Sequence, residues 1–198
     1  MRFVSALLEN DMYNRKRRRL DLLETDRIFC RHDMAHFMDV ARIAQLRNLE
    51  EHMQQDKEMI YLYALLHDIG RVAEYEQGIS HAQASADAAG EILMHLGYPA
   101  EQIVLLQKAI LEHRGNSVEE HPYKAMESCD APAKKSEDTA AEESADRVTW
   151  DDTEQNSQRF VRLMKWADKA SRRCFDCKAY TQCKWSEEKK NKAENLVY

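Results

Sequence analysis

The first part of the chain carries apolar residues at helical spacing. From Val4 to about Gln45 they recur every three or four positions, and neither Pro nor Gly interrupts them. An apolar stripe of this period is typical of a helix that packs against a core. The pattern therefore predicts one long helix or two abutting helices. The inward face of its later part carries Phe29, His32, His36, Val40 and Ile43.

The next apolar region has no polar face. Residues Met59 to Leu66 contain no charged side chain, which predicts a helix enclosed by other helices. Gly70 follows and can adopt the left-handed backbone that ends a helix. We therefore expect His67 and Asp68 in the last turn of this helix.

Capping signals indicate two further helices. Ser80 and Gln83 have the spacing of a capping box, in which each side chain satisfies a backbone N–H at the start of a helix. Pro99 is suited to the first turn of the next helix, and Gly115 to its end. His113 lies on the inward stripe of that helix.

The pattern stops between Val118 and Ser157. This segment has no Leu, Ile or Phe, and its acidic residues alternate with small polar ones. It cannot bury enough apolar area to offset its ordering entropy, so it predicts a flexible acidic insertion. Helical periodicity returns at Phe160 and carries Asp168. The chain is thus divided into a helical body (residues 1–117 and 158–173), the insertion (118–157) and a cysteine-containing tail (174–198).

Composition supports an all-α fold and argues against nucleic acid and membranes as partners. The 198 residues include 5 Gly and 3 Pro, and 43% are hydrophobic. The net charge of -6 is concentrated in the predicted insertion, which argues against nucleic acid as a partner. No apolar run reaches the ~18 residues that span a bilayer, and the start lacks the apolar stretch of a signal peptide. We therefore expect a cytoplasmic protein without membrane contact. Nothing in the sequence indicates an oligomeric state.

Ionisable side chains occupy positions where the periodicity places the core. These are His36, His67, His113 and Asp168. A single inward histidine is usually a hydrogen-bonded core residue. Several imidazoles and carboxylates in one bundle are explained together by a shared metal, which offsets the cost of burying them. These ligand types suit Fe, Mn, Zn or Ni, and their number favours two ions over one.

Three motifs in order resemble a known family. His36 precedes Phe-Met-Asp-Val-Ala, Leu65 to Gly70 reads Leu-Leu-His-Asp-Ile-Gly, and Asp168 follows Ala167. This arrangement resembles the HD superfamily of metal-dependent phosphohydrolases. The additional His81 and His113 resemble its binuclear branch, which includes dinucleoside tetraphosphatases and HD-GYP phosphodiesterases. The GYP element itself is absent, so cyclic dinucleotide hydrolysis loses support.

The resemblance implies a ligand set. One divalent ion would be held by His36, His67, Asp68 and Asp168, and a second by His81 and His113 with Asp68 as the bridge. His32 lies close to His36 in sequence and is the alternative for the first histidine. The motif spacing favours His36.

The resemblance also implies an activity. The chain would be an all-α HD-domain phosphohydrolase that acts on a small nucleotide or other phosphate ester through a water activated by two metal ions. Besides Asp68, the residues Arg71, Lys169 and Arg172 would take part in catalysis by holding the non-reacting phosphates. Two alternatives remain open: an HD-type di-iron oxygenase, and a non-catalytic metal-bound interaction module.

The cysteines form a second pattern. Cys174, Cys177 and Cys183 lie in the tail, and Cys30 precedes His36 by six residues, just as Cys174 follows Asp168 by six. If the helices carrying His36 and Asp168 run antiparallel, these thiols fall at one end of the bundle. Four thiolates suit structural Zn or an iron–sulfur cluster. The alternative is a tail with reduced thiols and no metal.

Overall fold

The computed structural model describes residues 1–113 and 150–195, with the side chains of 150–153 and 195 left out. Every regular element in these ranges is helical, which confirms the predicted all-α fold. None of the described helices is long and apolar enough to cross a membrane. The α-helices are α1 Arg2–Glu9, α2 Asp11–Leu23, α3 Met34–Glu50, α4 Lys57–Leu66, α5 Arg71–Gln77, α6 His81–His95, α7 Ala100–Glu112 and α8 Trp150–Ala170. Four single 3-10 turns follow: Cys174–Asp176, Tyr180–Gln182, Glu187–Lys189 and Ala193–Asn195.

Helix α4 lies at the centre of the bundle, as its apolar sequence predicts. It contacts α1, α3, α6, α7 and α8. From Met59 to Leu66 every side chain except that of Tyr61 is buried, and Tyr63 is fully inaccessible. The residues that follow α4 are therefore delivered into the interior of the protein.

The N-terminal region is not one long helix or two abutting ones. The Asn10 side chain caps α2 by accepting a hydrogen bond from the Tyr13 N–H, and Asp33 caps α3 by accepting from the His36 N–H. Such caps stabilise the start of a helix by about 1 kcal/mol. They begin new helices at positions where the apolar spacing of the sequence continues without a break. Residues 24–33 are non-helical. The predicted common face is therefore wrong for Phe29 and His32, which lie outside α3.

Gly70 has a different role from the predicted one. Its backbone is right-handed, with φ of -75°. Helix α4 ends at Leu66, so His67 and Asp68 lie in the turn beyond it and not in its last turn. A Cβ at position 70 would stand 2.3 Å from the Ser85 backbone nitrogen and 2.5 Å from the His81 carbonyl oxygen. Glycine is required here because this turn packs directly on the backbone of α6.

The later helix starts follow the sequence signals in part. Helix α7 begins after Pro99 as predicted, and Gly115 lies outside the described residues. Helix α6 begins after Ser80, but the Ser80 side chain makes no capping hydrogen bond, and Gln83 donates to Asp87 instead of completing a capping box. Helix α8 begins at Trp150, within the range predicted as the insertion. The rest of that insertion, up to residue 149, lies outside the described residues.

Candidate metal centre

Four side chains from three parts of the fold meet beside the end of α4. His36 comes from the first turn of α3, His67 and Asp68 from the turn after α4, and Asp168 from α8. One ligand atom of each lies within 4.8 Å of the others. The Asp168 Oδ1 is 3.5 Å from His36 Nε2 and 3.7 Å from His67 Nε2. These are the four residues that the resemblance assigns to one metal ion.

A second group adjoins the first and shares Asp68 with it. Ligand atoms of Asp68, His81 and His113 also lie within 4.8 Å of one another. His81 is the first residue of α6, and His113 follows the last residue of α7. The two carboxylate oxygens of Asp68 face different groups: Oδ2 is 3.3 Å from His67 Nε2, and Oδ1 is 3.6 Å from His81 Nε2. Asp68 is thus positioned between the two groups.

Hydrogen bonds on the outer side of the rings orient the imidazoles. The Nδ1 of His67 bonds to the Ala64 carbonyl oxygen at 2.9 Å, and that of His113 bonds to the Ile110 carbonyl oxygen. A carbonyl can only accept, so these Nδ1 atoms carry the proton, and in the neutral ring the Nε2 lone pair faces the cluster. The Nδ1 of His81 contacts Glu74 Oε1 at 3.0 Å. Contacts of this kind are typical of metal-ligating histidines.

Two inward nitrogens are placed where they could bind a cation. Within the described part of the chain, His36 Nε2 and His67 Nε2 are buried and have no hydrogen-bond partner of normal geometry. Buried polar atoms are nearly always paired, because an unpaired one costs about 1–3 kcal/mol. A divalent ion among these nitrogens and the Asp68 and Asp168 carboxylates would satisfy them together.

The electrostatics favour ionised carboxylates and neutral imidazoles at His36 and His113. Burial alone would raise the pKa of Asp68 and of Asp168, but contact with His67 outweighs it and holds each pKa well below its usual range. Burial lowers the pKa of His36 to about 4, and it also lowers that of His113. Burial would lower the pKa of His67 too, yet the charge of Asp68 raises it to about 10. A bound cation would take the place of this proton, as metal binding to imidazole requires.

The structure separates His32 from His36. His32 precedes α3, and its Nε2 is 3.7 Å from Asp68 Oδ2. Its Nδ1 and its backbone N–H each contact the buried Glu24 carboxylate at 2.7 Å. His36, which the motif spacing favours, belongs to the four-residue group, and His32 does not. Sequence reasoning missed Glu24 because nothing in its helical neighbourhood marks it as buried.

The three predicted phosphate-binding cations have different surroundings. Arg71 is buried; its Nε lies 2.9 Å from Asp68 Oδ1, and its Nη1 lies 3.2 Å from Glu74 Oε2. Glu74, which the sequence analysis did not single out, thereby links Arg71 to His81. Arg172 donates to the Lys169 carbonyl oxygen and stacks over Trp185. Lys169 is partly buried beside Arg172 at the end of α8.

Comparison with known proteins gives a consistent result. A family model described as HD domain matches residues 34–173. A protein of Clostridium beijerinckii that carries only the description "Uncharacterized protein" is 35% identical over 187 residues, which is 94% of each chain. No solved structure matches significantly. The family match covers well over half of the chain and contains all six histidines and aspartates of the two groups, so the chain belongs to the HD-domain family, whose members are generally metal-dependent phosphohydrolases.

Proposed function

We propose that this chain is a phosphohydrolase that uses two divalent metal ions to cleave a small nucleotide or another phosphate ester. The observation that carries the proposal is the position of Asp68. Its Oδ2 lies beside His67 and its Oδ1 beside His81, so a single carboxylate serves both ligand groups. A shared carboxylate is what a pair of closely spaced ions requires, since it holds both and offsets their repulsion.

The donor atoms suit divalent transition metals. His36, His67, Asp68 and Asp168 would hold one ion, and Asp68, His81 and His113 the other. Imidazole with carboxylate favours Fe, Mn, Zn or Ni over Ca, which prefers oxygen ligands alone. Two such ions supply an activated water and offset the charge that develops on the phosphoryl oxygens. No cysteine or serine nucleophile is needed.

The members of the four-residue group differ in their access to solvent. The side chain of Asp168 is 27% exposed and that of His36 is 11% exposed, whereas His67 is inaccessible. A substrate phosphate can therefore approach over His36 and Asp168, and not from the His67 side. Lys169 and Arg172 follow Asp168 in the chain and remain the proposed ligands for the non-reacting phosphates.

Arg71 has a more specific assignment than the sequence suggested. Its guanidinium group is buried and engaged with Asp68 and Glu74. These contacts favour a role in positioning the bridging carboxylate over direct contact with substrate. Glu74 extends the same support to His81 through the 3.0 Å contact with its Nδ1.

The test is phosphate release by the full chain. Protein purified without oxygen and loaded with Mn²⁺ or Fe²⁺ should release phosphate or a nucleotide product from at least one member of a panel of nucleotides and phosphate esters. Asp68→Asn keeps the side-chain shape but removes the charge. It should lower kcat/KM by more than about 100-fold. Even mutation of a residue that only hydrogen-bonds to a metal ligand lowers metal affinity or activity by about 10- to 100-fold. His95→Ala, at the exposed end of α6, is the matched control and should retain full activity.

Metal content gives the second measurement. His113→Ala should lose one of two ions, whereas His36→Ala should weaken the other. The proposal fails if protein carrying two ions releases nothing from the panel, or if Asp68→Asn keeps its activity. Substrate-dependent oxygen uptake without phosphate release would replace hydrolysis by the oxygenase chemistry that the same ligand types support.

A further inference from the structure

The Glu24 carboxylate is buried and lies outside both ligand groups. Glu24 follows the last residue of α2 and is 3% exposed. Its Oε2 accepts the His32 backbone N–H at 2.7 Å, and its Oε1 accepts the Tyr75 hydroxyl at 2.6 Å. The His32 Nδ1 lies 2.7 Å from the same Oε1. The carboxylate therefore holds His32 both by its backbone and by its ring.

The segment that carries this pair is fixed by further contacts to the main chain. The Arg27 guanidinium group donates to the Cys30 carbonyl oxygen at 2.8 Å. The Arg31 guanidinium group donates to the Thr25 carbonyl oxygen at 2.6 Å. Residues 24–33 form no regular helix, yet these hydrogen bonds define the path of the chain between the carboxylate and the imidazole.

The contacts of Glu24 also fix the position of a proton on the His32 ring. Burial would raise the pKa of Glu24, but its hydrogen bonds with His32 and Tyr75 lower it to about 2. The ionised carboxylate can only accept hydrogen bonds, so the His32 Nδ1 carries a proton. In the neutral form of this ring, Nε2 has a lone pair and accepts a hydrogen bond.

The His32 Nε2 faces the edge of the four-residue group. It lies 3.7 Å from Asp68 Oδ2, the oxygen that is also 3.3 Å from His67 Nε2. A separation of 3.7 Å is too long for a hydrogen bond. Among the described residues, the hydrogen bonds of His32 are the two with Glu24. One ring nitrogen is therefore committed to Glu24, and the other stands beside Asp68 with its hydrogen-bonding capacity unused.

His32 approaches the four-residue group without joining it. The ligand atoms of that group lie within 4.8 Å of one another, and neither His32 nor any described cysteine belongs to them. The His32 and His36 rings stand edge to face, with their centroids 5.6 Å apart. The Nε2 atoms of His36 and His67 are buried, whereas His32 and Glu24 line an open cavity of about 200 Å³. Water can therefore enter beside the His32 ring.

We propose that His32 is a catalytic residue whose Nε2 accepts a hydrogen bond from the attacking water and so orients it, and that Glu24 is the positioning residue that holds the ring. This inference rests on the proposed hydrolysis. In that reaction the water oxygen bonds to phosphorus, the bond between phosphorus and the leaving oxygen breaks, and the leaving oxygen takes up a proton released by the water. The ligand side chains would direct their lone pairs at the ions, whereas the His32 Nε2 is an acceptor that the ions leave unused.

Two amide variants of His32 separate the roles of its ring nitrogens. The end of a glutamine side chain reaches the position of Nε2, whereas that of asparagine reaches only the position of Nδ1. With a substrate that the wild type hydrolyses, His32→Asn should lower kcat about 100-fold and change KM less than about threefold, because the water loses its acceptor. His32→Gln should lower kcat only about 10-fold. Metal analysis should find both ions in each variant, and circular dichroism should find the helical content of the wild type.

Glu24→Gln tests the positioning role. The amide keeps the shape of the side chain but presents a donor where His32 and Tyr75 need an acceptor. The kcat should therefore fall about 10-fold, with KM and both ions retained. Glu58→Gln is the matched control. Glu58 accepts two backbone N–H groups of α1 near the start of α4, at the far end of that helix from the ligands, and its variant should keep the wild-type kcat.

The position of the ring proton can be measured without turnover. Two-bond proton–nitrogen correlation spectra of the Zn²⁺-loaded full chain should show a proton on His32 Nδ1 and none on Nε2. The signal is assigned by its absence in His32→Gln. In Glu24→Gln both tautomers should be present. A proton on Nε2 in the wild type would overturn the acceptor role.

Failure of this inference differs from failure of the proposed function. If the wild type releases phosphate and His32→Asn does so at the same rate with two ions bound, His32 is not catalytic and the hydrolysis stands. Loss of an ion in His32→Asn would also overturn the inference, since the ring would then be a ligand. Equal kcat in His32→Asn and His32→Gln would do the same, because a structural defect does not distinguish the two nitrogens. A two-ion wild type that hydrolyses nothing overturns both.

Discussion

Replacing Gly70 by alanine puts a methyl group into a contact between two backbones. The new Cβ would stand 2.3 Å from the Ser85 nitrogen, 2.5 Å from the His81 carbonyl oxygen and 2.6 Å from the Ala84 carbonyl carbon. All three atoms belong to the main chain of α6, so no side chain can turn away to make room. Helix α6 and the turn after α4 must move apart by more than half an ångström.

The cost can be worked from these contacts. Overpacking of a tight interior typically costs about 1–3 kcal/mol, and three backbone clashes place Gly70→Ala at the upper end. The Gly70 N–H donates to the buried Ser85 hydroxyl at 2.8 Å, and weakening that bond adds about 1 kcal/mol. Alanine also lowers the conformational entropy of the unfolded chain, which stabilises the folded state by about 0.5–1 kcal/mol. We expect a net loss of about 3 kcal/mol in the free energy of unfolding, or a Tm lower by about 10 °C.

The same shift should act selectively on metal binding. His81 is the first residue of α6, and its Nε2 is 3.6 Å from Asp68 Oδ1. Moving α6 away widens this gap, whereas His36 and Asp168 do not belong to α6 and should stay in place. Gly70→Ala should therefore weaken one ion of the pair more than the other, as seen in a metal titration followed by calorimetry.

Gly90→Ala is the control for the Gly70 prediction. Its Cβ would also approach another atom closely, at 2.4 Å, but that atom is the side-chain nitrogen of Gln107. Gln107 can rotate and give up its hydrogen bond to Ala86, at a cost of about 1 kcal/mol. Inside a helix, alanine is more favourable than glycine by about 1 kcal/mol. The net change in the free energy of unfolding should therefore be near zero. Equal urea midpoints for the two variants, or unchanged affinity for both ions in Gly70→Ala, would refute the packing argument.

Three further predictions concern polar contacts around the bundle. The Asn48 side chain forms hydrogen bonds with both the N–H and the carbonyl oxygen of Gln55, each at 2.9 Å. Asn48→Ala leaves these two buried backbone groups unpaired, so it should lower the free energy of unfolding, measured in urea, by about 3 kcal/mol and leave the metal content unchanged. Burial would raise the pKa of Glu24, but its bond to His32 lowers it to about 2 from an ordinary 4.5. The resulting stabilisation is present above pH 4.5 and is lost as the pH falls through about 2. After discounting for solvent screening it amounts to about 1–2 kcal/mol, so the difference in unfolding free energy between wild type and Glu24→Gln should shrink steadily as the pH falls from 4.5 towards 2. His32→Ala should retain both ions by metal analysis, and loss of an ion would restore His32 as a ligand.

Much of the helical order could be predicted from the sequence. Met59 to Leu66 has no polar face, so the position of α4 inside the bundle follows from its apolar character alone. The start of α7 follows from the geometry of Pro99, which fits the first turn of a helix. The order of the family motifs selects six histidines and aspartates as candidate ligands, and the structure brings all six into two adjoining groups.

The errors arose where distant contacts or single caps decide the structure. The apolar period continues through residues 24–33, but the Asp33 cap fixes the start of α3 and leaves this segment free to fold around Glu24. The sequence suggests that Gly70 ends a helix, because glycine can adopt a left-handed backbone. Its role in the structure instead depends on the close approach of Ser85, fifteen residues away. Glu74 contacts His81 from α5, a helix of seven residues that is too short to show a clear apolar period, so nothing in the sequence marks it.

The tetrapeptide from His67 to Gly70 gives each of its residues a separate physical task. His67 and Asp68 would supply ligands just beyond the end of a buried helix, where burial excludes water and would strengthen their interaction with a cation. Ile69 is fully buried in the apolar core, so the turn cannot rotate to expose the ligands. Gly70 allows α6 to approach the turn closely enough for His81 to reach the far oxygen of Asp68. A larger residue at position 70 would preserve the first ligand group but hold the second apart. In the proposed two-ion function, the glycine of this short motif would therefore determine whether one carboxylate can serve both ions.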